Sequence, residues 1–235
     1  LDTTQGATDA GNVALAGPVE MLANVQITTN HPTGSDGSVS FTGTVNADDA
    51  LNARALAINA GGGDVSYGGA AGNLQPLQGI TVGSANDVSL QAVTTRDGGL
   101  SVTTADAGAD AASITLGGNI NTAAGTNAGH VSIAGPVTLV SDVQVSTDHA
   151  TGTDGNITFA GGNSTINSDS AARALTLAAG GGTTTLDAAV GAFTALSRLT
   201  HSGGAPAPAG GSGPPHRIRG ATPPGRGGGR RAPPR

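Results

Sequence analysis

Two short stretches hold the side chains best suited to chemistry. "NHPTGSDG" (30–37) and "DHATGTDG" (148–155) each set a histidine five residues before an aspartate, His31 with Asp36 and His149 with Asp154. An imidazole beside a carboxylate suits metal ligation or proton transfer. A metal centre usually needs at least three protein ligands, so this spacing reads more economically as turn structure. The two histidines recur one long repeat apart, which places them about 24 Å from each other at the stacking distance of neighbouring strands, too far to share an ion.

Carboxylates near a basic residue are the machinery of polysaccharide lyases and hydrolases. Asp48 and Asp49 with Arg54 qualify by proximity, but the second copy of the text has Asp169 and Ser170 in a turn of different length before Arg173. Arg54 and Arg173 both stand in "ARAL". An active site is normally unique, so duplicated text points to scaffold. "GGGDVSYGG" (61–69) contains the residues of the calcium-binding nonapeptide in the wrong order and without tandem repetition. The turn aspartates Asp36, Asp64, Asp87 and Asp154 read as solvated turn residues. There is no phosphate-cradling GxxxxGK[ST], no GxGxxG, no GxSxG and no HExxH. No catalytic, cofactor-binding or metal-ligating residue is predicted.

The elements that position these residues are unusually legible. Residues 11–43 and 129–161 align without a gap at an offset of 118, with 16 of 33 positions identical. Short strands of strict alternation recur throughout. One series is "VALAG" (13), "VSFTG" (39), "VSYGG" (65), "VSLQA" (88), "ITLGG" (114), "VSIAG" (131) and "ITFAG" (157). A second series, "VQITT" (25), "LAINA" (56), "ITVGS" (80), "LSVTT" (100), "VQVST" (143) and "LTLAA" (175), alternates with it. Period two with β-branched residues marks strands buried on one face. Starts of the first series step by 26, 26, 23, 26 and 17 residues, so five rungs fill one long repeat. Such spacing belongs to a solenoid, in which each rung completes its neighbour. The predicted fold is an all-β, right-handed parallel β-helix of about 8 rungs, with Val13 stacked near Val39 and Val65.

Composition agrees. The 235 residues include 40 glycines, no cysteine, no tryptophan and four aromatic side chains, Phe41, Tyr67, Phe159 and Phe193. A thin core of Val, Ile, Leu, Ala and Thr suits a narrow tube. All sixteen acids precede residue 201 and face only Arg54, Arg96, Arg173 and Arg198, which gives that part a net charge of −12. An acidic body without lysine argues against nucleic acid. No apolar run is long enough for a membrane span. The chain opens "LDTTQGATDAG" with its only methionine at Met21, which predicts an internal fragment whose export signal, if any, lay upstream.

Residues 1–10 read as a lead-in, 11–200 as the repeats, with the long repeat over 11–128 and its second copy from 129, and 201–235 as a disordered tail. That tail holds ten glycines, eight prolines, six arginines and no acid. Gly, Pro, Arg and Ala are encoded by GC-only codons, so a frame shift near codon 200 is one reading, and a genuine Pro/Gly/Arg linker is the other.

Repeated "G[DNH]V[ST][LIF]xG", "RALxLxAGGG", "VGxxTxLxxLT" (190–200) and "DHxTGTDGN" (148–156) resemble the repeat region of large bacterial exoproteins of the filamentous haemagglutinin type. The resemblance spans residues 11 to about 200. It implies a β-helical passenger, secreted or displayed at the cell surface of a bacterium, serving adhesion or a biofilm matrix. Its partners would be a host-cell or matrix glycan or protein and the neighbouring repeats of the same parent chain, with no cofactor. The alternatives are a β-helical carbohydrate-active enzyme and a calcium-dependent surface-layer protein.

Overall fold

A computed structural model describes residues 1–5, 8–49, 52, 54–105, 112–161 and 164–203. The tail from residue 204 onward lies outside the described residues. Within them the chain is all-β without a helix, and its strands pair in parallel as a solenoid of about seven turns. Each turn has three sides. The first is an eight-stranded sheet of Val13–Leu15, Val39–Phe41, Val65–Tyr67, Val88–Leu90, Ile114–Leu116, Val137–Leu139, Thr165–Ser168 and Ala189–Val190. The second runs from Val19–Met21 and Val45–Ala47 through Ala71 and Val93 to Ile120–Asn121, Val143–Ser146, Ala174–Gly180 and Arg198–Gly203. The third comprises Val25–Thr28, Ala55–Asn59, Leu77–Ser84, the later half of Val93–Thr103, Val131–Ala134, Ile157–Ala160 and Thr184–Leu186. Val93–Thr103 bends round a corner and joins the second and third faces into one sheet.

Register explains the alternation. On the first face Val13 pairs with Val39 and Val39 with Val65, as the spacing predicts. Inward residues stack on their counterparts, and Val39, Val65, Leu90, Ile114, Leu116 and Leu139 are buried. Removing such a side chain from water contributes about 1.5–3 kcal/mol, so the core is a sum of thin layers. Phe41 stacks on Tyr67 at a centroid distance of 4.9 Å. In the second copy Phe159 pairs with Leu186, so the aromatic pair is not repeated.

One expected step differs. Ile114 pairs with Val137, not Val131, a step of 23 residues rather than 17. "VSIAG" at 131 stands on the third face between Leu100 and Ile157. Three strands and three corners do not fit into 17 residues. The seven steps from Val13 to Val190 average about 25 residues. The long repeat of 118 is therefore not a whole number of turns. Val13 lies on the first face of the first turn and Val131 on the third face of the fifth, so the duplication advances the chain by four turns and two sides. Every element of the second copy stands two sides further round than its counterpart in the first.

Corners are held by two devices. Thr29, Thr122 and Thr147 are fully buried and donate their hydroxyls to the carbonyls of Gly37, Gly129 and Gly155 at 2.5, 2.5 and 2.6 Å. Glycines then stack on glycines. A Cβ on Gly63 would lie 2.1 Å from Gly37 O, and one on Gly182 would lie 2.0 Å from Gly155 O. Close backbone approach, more than turn conformation, requires glycine at these places. At the N-terminal end Asp2 bridges to Thr28 and Asp9 to Ser35, so residues near both contribute to a partial turn. At the other end pairing continues past residue 200, with Leu177 opposite His201.

Candidate functional site

The His/Asp turns sit at different corners of the solenoid, His31 between the third and first faces and His149 between the second and third. Their internal geometry is nonetheless the same. His31 Nδ1 accepts the N–H of Gly34 at 2.6 Å and of Thr33 at 3.2 Å, and His149 Nδ1 accepts those of Gly152 at 2.5 Å and Thr151 at 3.2 Å. A ring nitrogen that accepts carries no proton, so the proton is on Nε2, which for His149 faces Gly125 O at 3.0 Å. Both carboxylates bridge two turns. Asp154 Oδ1 accepts the N–H of His149 and Oδ2 that of Gly181, each at 2.6 Å. Asp36 accepts from His31 and, at 2.6 Å, from Gly62. The Gly181 N–H first, and the His149 N–H second, hold the Asp154 carboxyl below the usual range. Gly61 and Gly180 adopt φ of 60° and 55°, and a Cβ there would meet Asp36 Oδ2 at 2.4 Å and Asp154 Oδ2 at 2.6 Å. Each turn is closed by a backbone N–H from the glycines of the next turn.

Asp48 and Arg54 form a bidentate pair at 2.8 and 2.7 Å, and Asp169 and Arg173 form its counterpart at 2.9 and 2.7 Å. The arginine holds each carboxyl below its ordinary value. A general acid for glycoside cleavage needs a raised carboxyl, the opposite shift. Asp49 accepts from the backbone and side chain of Asn52 at 2.6 and 2.8 Å. Among the described residues no group of three or more His, Asp or Glu could hold a metal ion, and no helix is long and apolar enough to cross a membrane.

A further set of polar residues has a role that spacing alone did not single out. Asn12 Oδ1 accepts the N–H of Ser38 at 2.8 Å, Ser38 Oγ that of Asp64 at 3.1 Å, Asp64 Oδ1 that of Asp87 at 3.2 Å, and Asp87 Oδ1 that of Ser113 at 2.9 Å. Each side chain thus takes the backbone N–H of its counterpart one turn on. His130 and Asn156 do the same on the third face, toward Asn156 at 2.8 Å and Thr183 at 2.9 Å. Asp64 and Asp87, which the calcium reading would recruit, are occupied in this column. The signal was present in "GNV", "GDV" and "NDV", a polar acceptor just before each strand.

No protein family, characterised protein or solved structure matches this chain.

Proposed function

We propose that this chain is a stalk or spacer segment of a large secreted or surface-displayed bacterial protein of the filamentous haemagglutinin type, serving adhesion or a biofilm matrix, without catalysis of its own. The observation that carries this reading is the use of its polar residues. His31 and His149, Asp36 and Asp154, Arg54 and Arg173 are each spent on holding a turn or joining it to the next, and each arrangement occurs twice. Side chains so committed supply length and stiffness rather than a reaction. Seven steps of about 4.8 Å give a rod about 34 Å long.

Small-angle scattering on the full chain, together with a chain lacking residues 39–64, tests the spacer. Residues 39–64 make one whole turn, since Val13 would then pair with Val65. The expected result is a folded rod shorter by about one strand spacing. Beads coated with either chain should adhere equally to host cells or matrix. Cleavage of pectin or alginate by the purified chain would overturn the reading in favour of a carbohydrate-active enzyme, and a calcium-induced gain of β structure would overturn it in favour of a surface-layer protein.

A further inference from the structure

The His/Asp corners are stitched in three directions, and two of the stitches run through an imidazole ring. Asp154 joins the corner at 149–155 to the following turn through the N–H of Gly181. His149 joins it to the preceding turn, with Nε2 donating to Gly125 O at 3.0 Å. The same ring shapes the corner itself, since Nδ1 accepts the N–H of Gly152 at 2.5 Å and of Thr151 at 3.2 Å. Gly152 is held from both sides. A Cβ there would lie 2.7 Å from His149 Nδ1 and would run into Thr126 O of the preceding turn, so the ring presses this glycine onto the backbone below it.

Residues 31–37 repeat the device at a different corner. His31 is buried, its Nδ1 accepts the N–H of Gly34 at 2.6 Å and of Thr33 at 3.2 Å, and Gly34 sits between that nitrogen and Thr8 O. A protonated imidazole carries a hydrogen on each nitrogen and accepts nothing. The oxygen acceptors of the other stitches, such as Asn156 and Ser38, stay acceptors at every mild pH. Histidine is the side chain that changes charge between pH 5 and 8.

We propose that His31 and His149 are acid-released pins, whose rings leave their corners when Nδ1 takes a proton. The new hydrogen would point at two N–H groups with no acceptor between them. The ring must swing away, and for His149 the bond to Gly125 O goes with it. The charges around each ring give the displaced imidazolium somewhere to go. Asp148 and Asp154 flank His149 in its own corner, Asp97 and Arg96 lie against Gly125 below, and the following turn brings only Gly180–Gly182. Asp9 and Asp36 face His31, with Gly61–Gly63 on the following turn. Carboxylates thus outnumber cations at both corners, so the released state is a second arrangement of the corner and not mere strain. Opening stays local, because the bonds from Ala128 N–H to Thr153 O and from Gly155 N–H to Thr147 O do not involve the ring. Bonds made only by the neutral ring contribute above the range in which it takes its proton and vanish below it. This device goes beyond the spacer reading and does not depend on it.

Backbone and imidazole nuclear magnetic resonance on the full chain, between about pH 7.5 and 5.5, tests it. At the upper end both rings should carry their proton on Nε2. As the rings take up a second proton, the amides of Thr33, Gly34, Thr151 and Gly152 should shift with the same midpoints and lose about tenfold or more of their protection from exchange, after correction for intrinsic pH dependence. The strand amides of Val145 and Ile157 should hold. H31N/H149N places an asparagine Oδ1 where Nδ1 stands, an acceptor that cannot be protonated, and should keep the four amides protected throughout. Rings that protonate while those amides stay protected overturn the proposal, as do rings that remain neutral down to about pH 5.5. An equal loss in H31N/H149N also overturns it and assigns the opening to the carboxylates. Should that variant misfold by far-UV circular dichroism, the wild type still decides, because ring and amide midpoints that differ at either corner refute the pin.

Discussion

Replacing Gly155 by alanine adds one methyl group at a corner where the backbone of one turn rests on the last. The new Cβ would lie 2.2 Å from the carbonyl oxygen of Gly129. Carbon and oxygen in contact keep about 3.3 Å, so the two turns must part locally by about 1 Å. On either side of that point the turns are joined by Ala128 N–H to Thr153 O and Val131 N–H to Asn156 O, both at 2.8 Å. Opened by that amount, neither remains a hydrogen bond. Two bonds at about 1 kcal/mol each, with some overpacking strain, give a loss of about 2–4 kcal/mol. For a chain of this size that is a drop in Tm of about 4–16 °C. Gly83→Ala is the matched control. Its Cβ would find only Ile58 O at 3.8 Å, and its φ lies outside the left-handed region. There alanine should stabilise by about 0.4–1 kcal/mol, because it restricts the unfolded chain. Thermal melts of both variants, followed by far-UV circular dichroism, read the contrast. If Gly155→Ala melts with the wild type, or Gly83→Ala falls as far, backbone-on-backbone stacking is not why glycine recurs at the corners.

Tyr67 is 2% exposed, and its hydroxyl has no hydrogen-bond partner among the described residues. Tyr67→Phe should keep the stack on Phe41 and leave stability unchanged or raised by about 1 kcal/mol in denaturant titration, whereas a loss above that would reveal a partner. Thr147→Val removes the buried donor to Gly155 O at similar volume and should cost about 1–3 kcal/mol in the same titration. Asp154, Asp48 and Asp169 all have folded-state values below the ordinary one. Their contribution is present above the unfolded value of about 4 and is lost as pH falls through the folded values. Tm should therefore decline on acidification below about pH 5, and Asp154→Asn should be less stable than wild type near neutrality while losing less on acidification. Equal pH dependence of the two chains would contradict the assigned role of the carboxylate.

Alternation in "VSF", "VSY" and "VSL" was enough to read strands, parallel stacking and the Val13–Val39–Val65 ladder directly from the sequence. The number of sides was harder. Two strand series were visible per rung, but the structure has three, because strands such as Val19–Met21 and Val137–Leu139 open directly on Pro18 and Pro136 and do not share the repeated text of the other two series. Face identity was hidden for a physical reason. All three faces take the same inward-outward pattern, so "VSIAG" at 131 could be matched to "VALAG" at 13 while standing on another side. Corner length, not strand text, decides which face a strand joins. The His/Asp turns were read as structural from their missing ligands, but the donors to their carboxylates are backbone N–H groups one turn away, which no local pattern displays.

A duplication that ends two sides past a whole turn leaves its trace in how such a chain can grow. Had the three faces been chemically distinct, copying a gene segment would conserve the fold only when the segment encoded complete turns. Here the faces accept one another's strands, and the same glycine and threonine corner serves at two different edges of the prism. The permissible unit of insertion is therefore a single side, and unequal recombination has three times as many breakpoints that preserve a continuous stack. A lineage built this way lengthens easily, and each added copy turns its surface toward a new quarter of the surroundings.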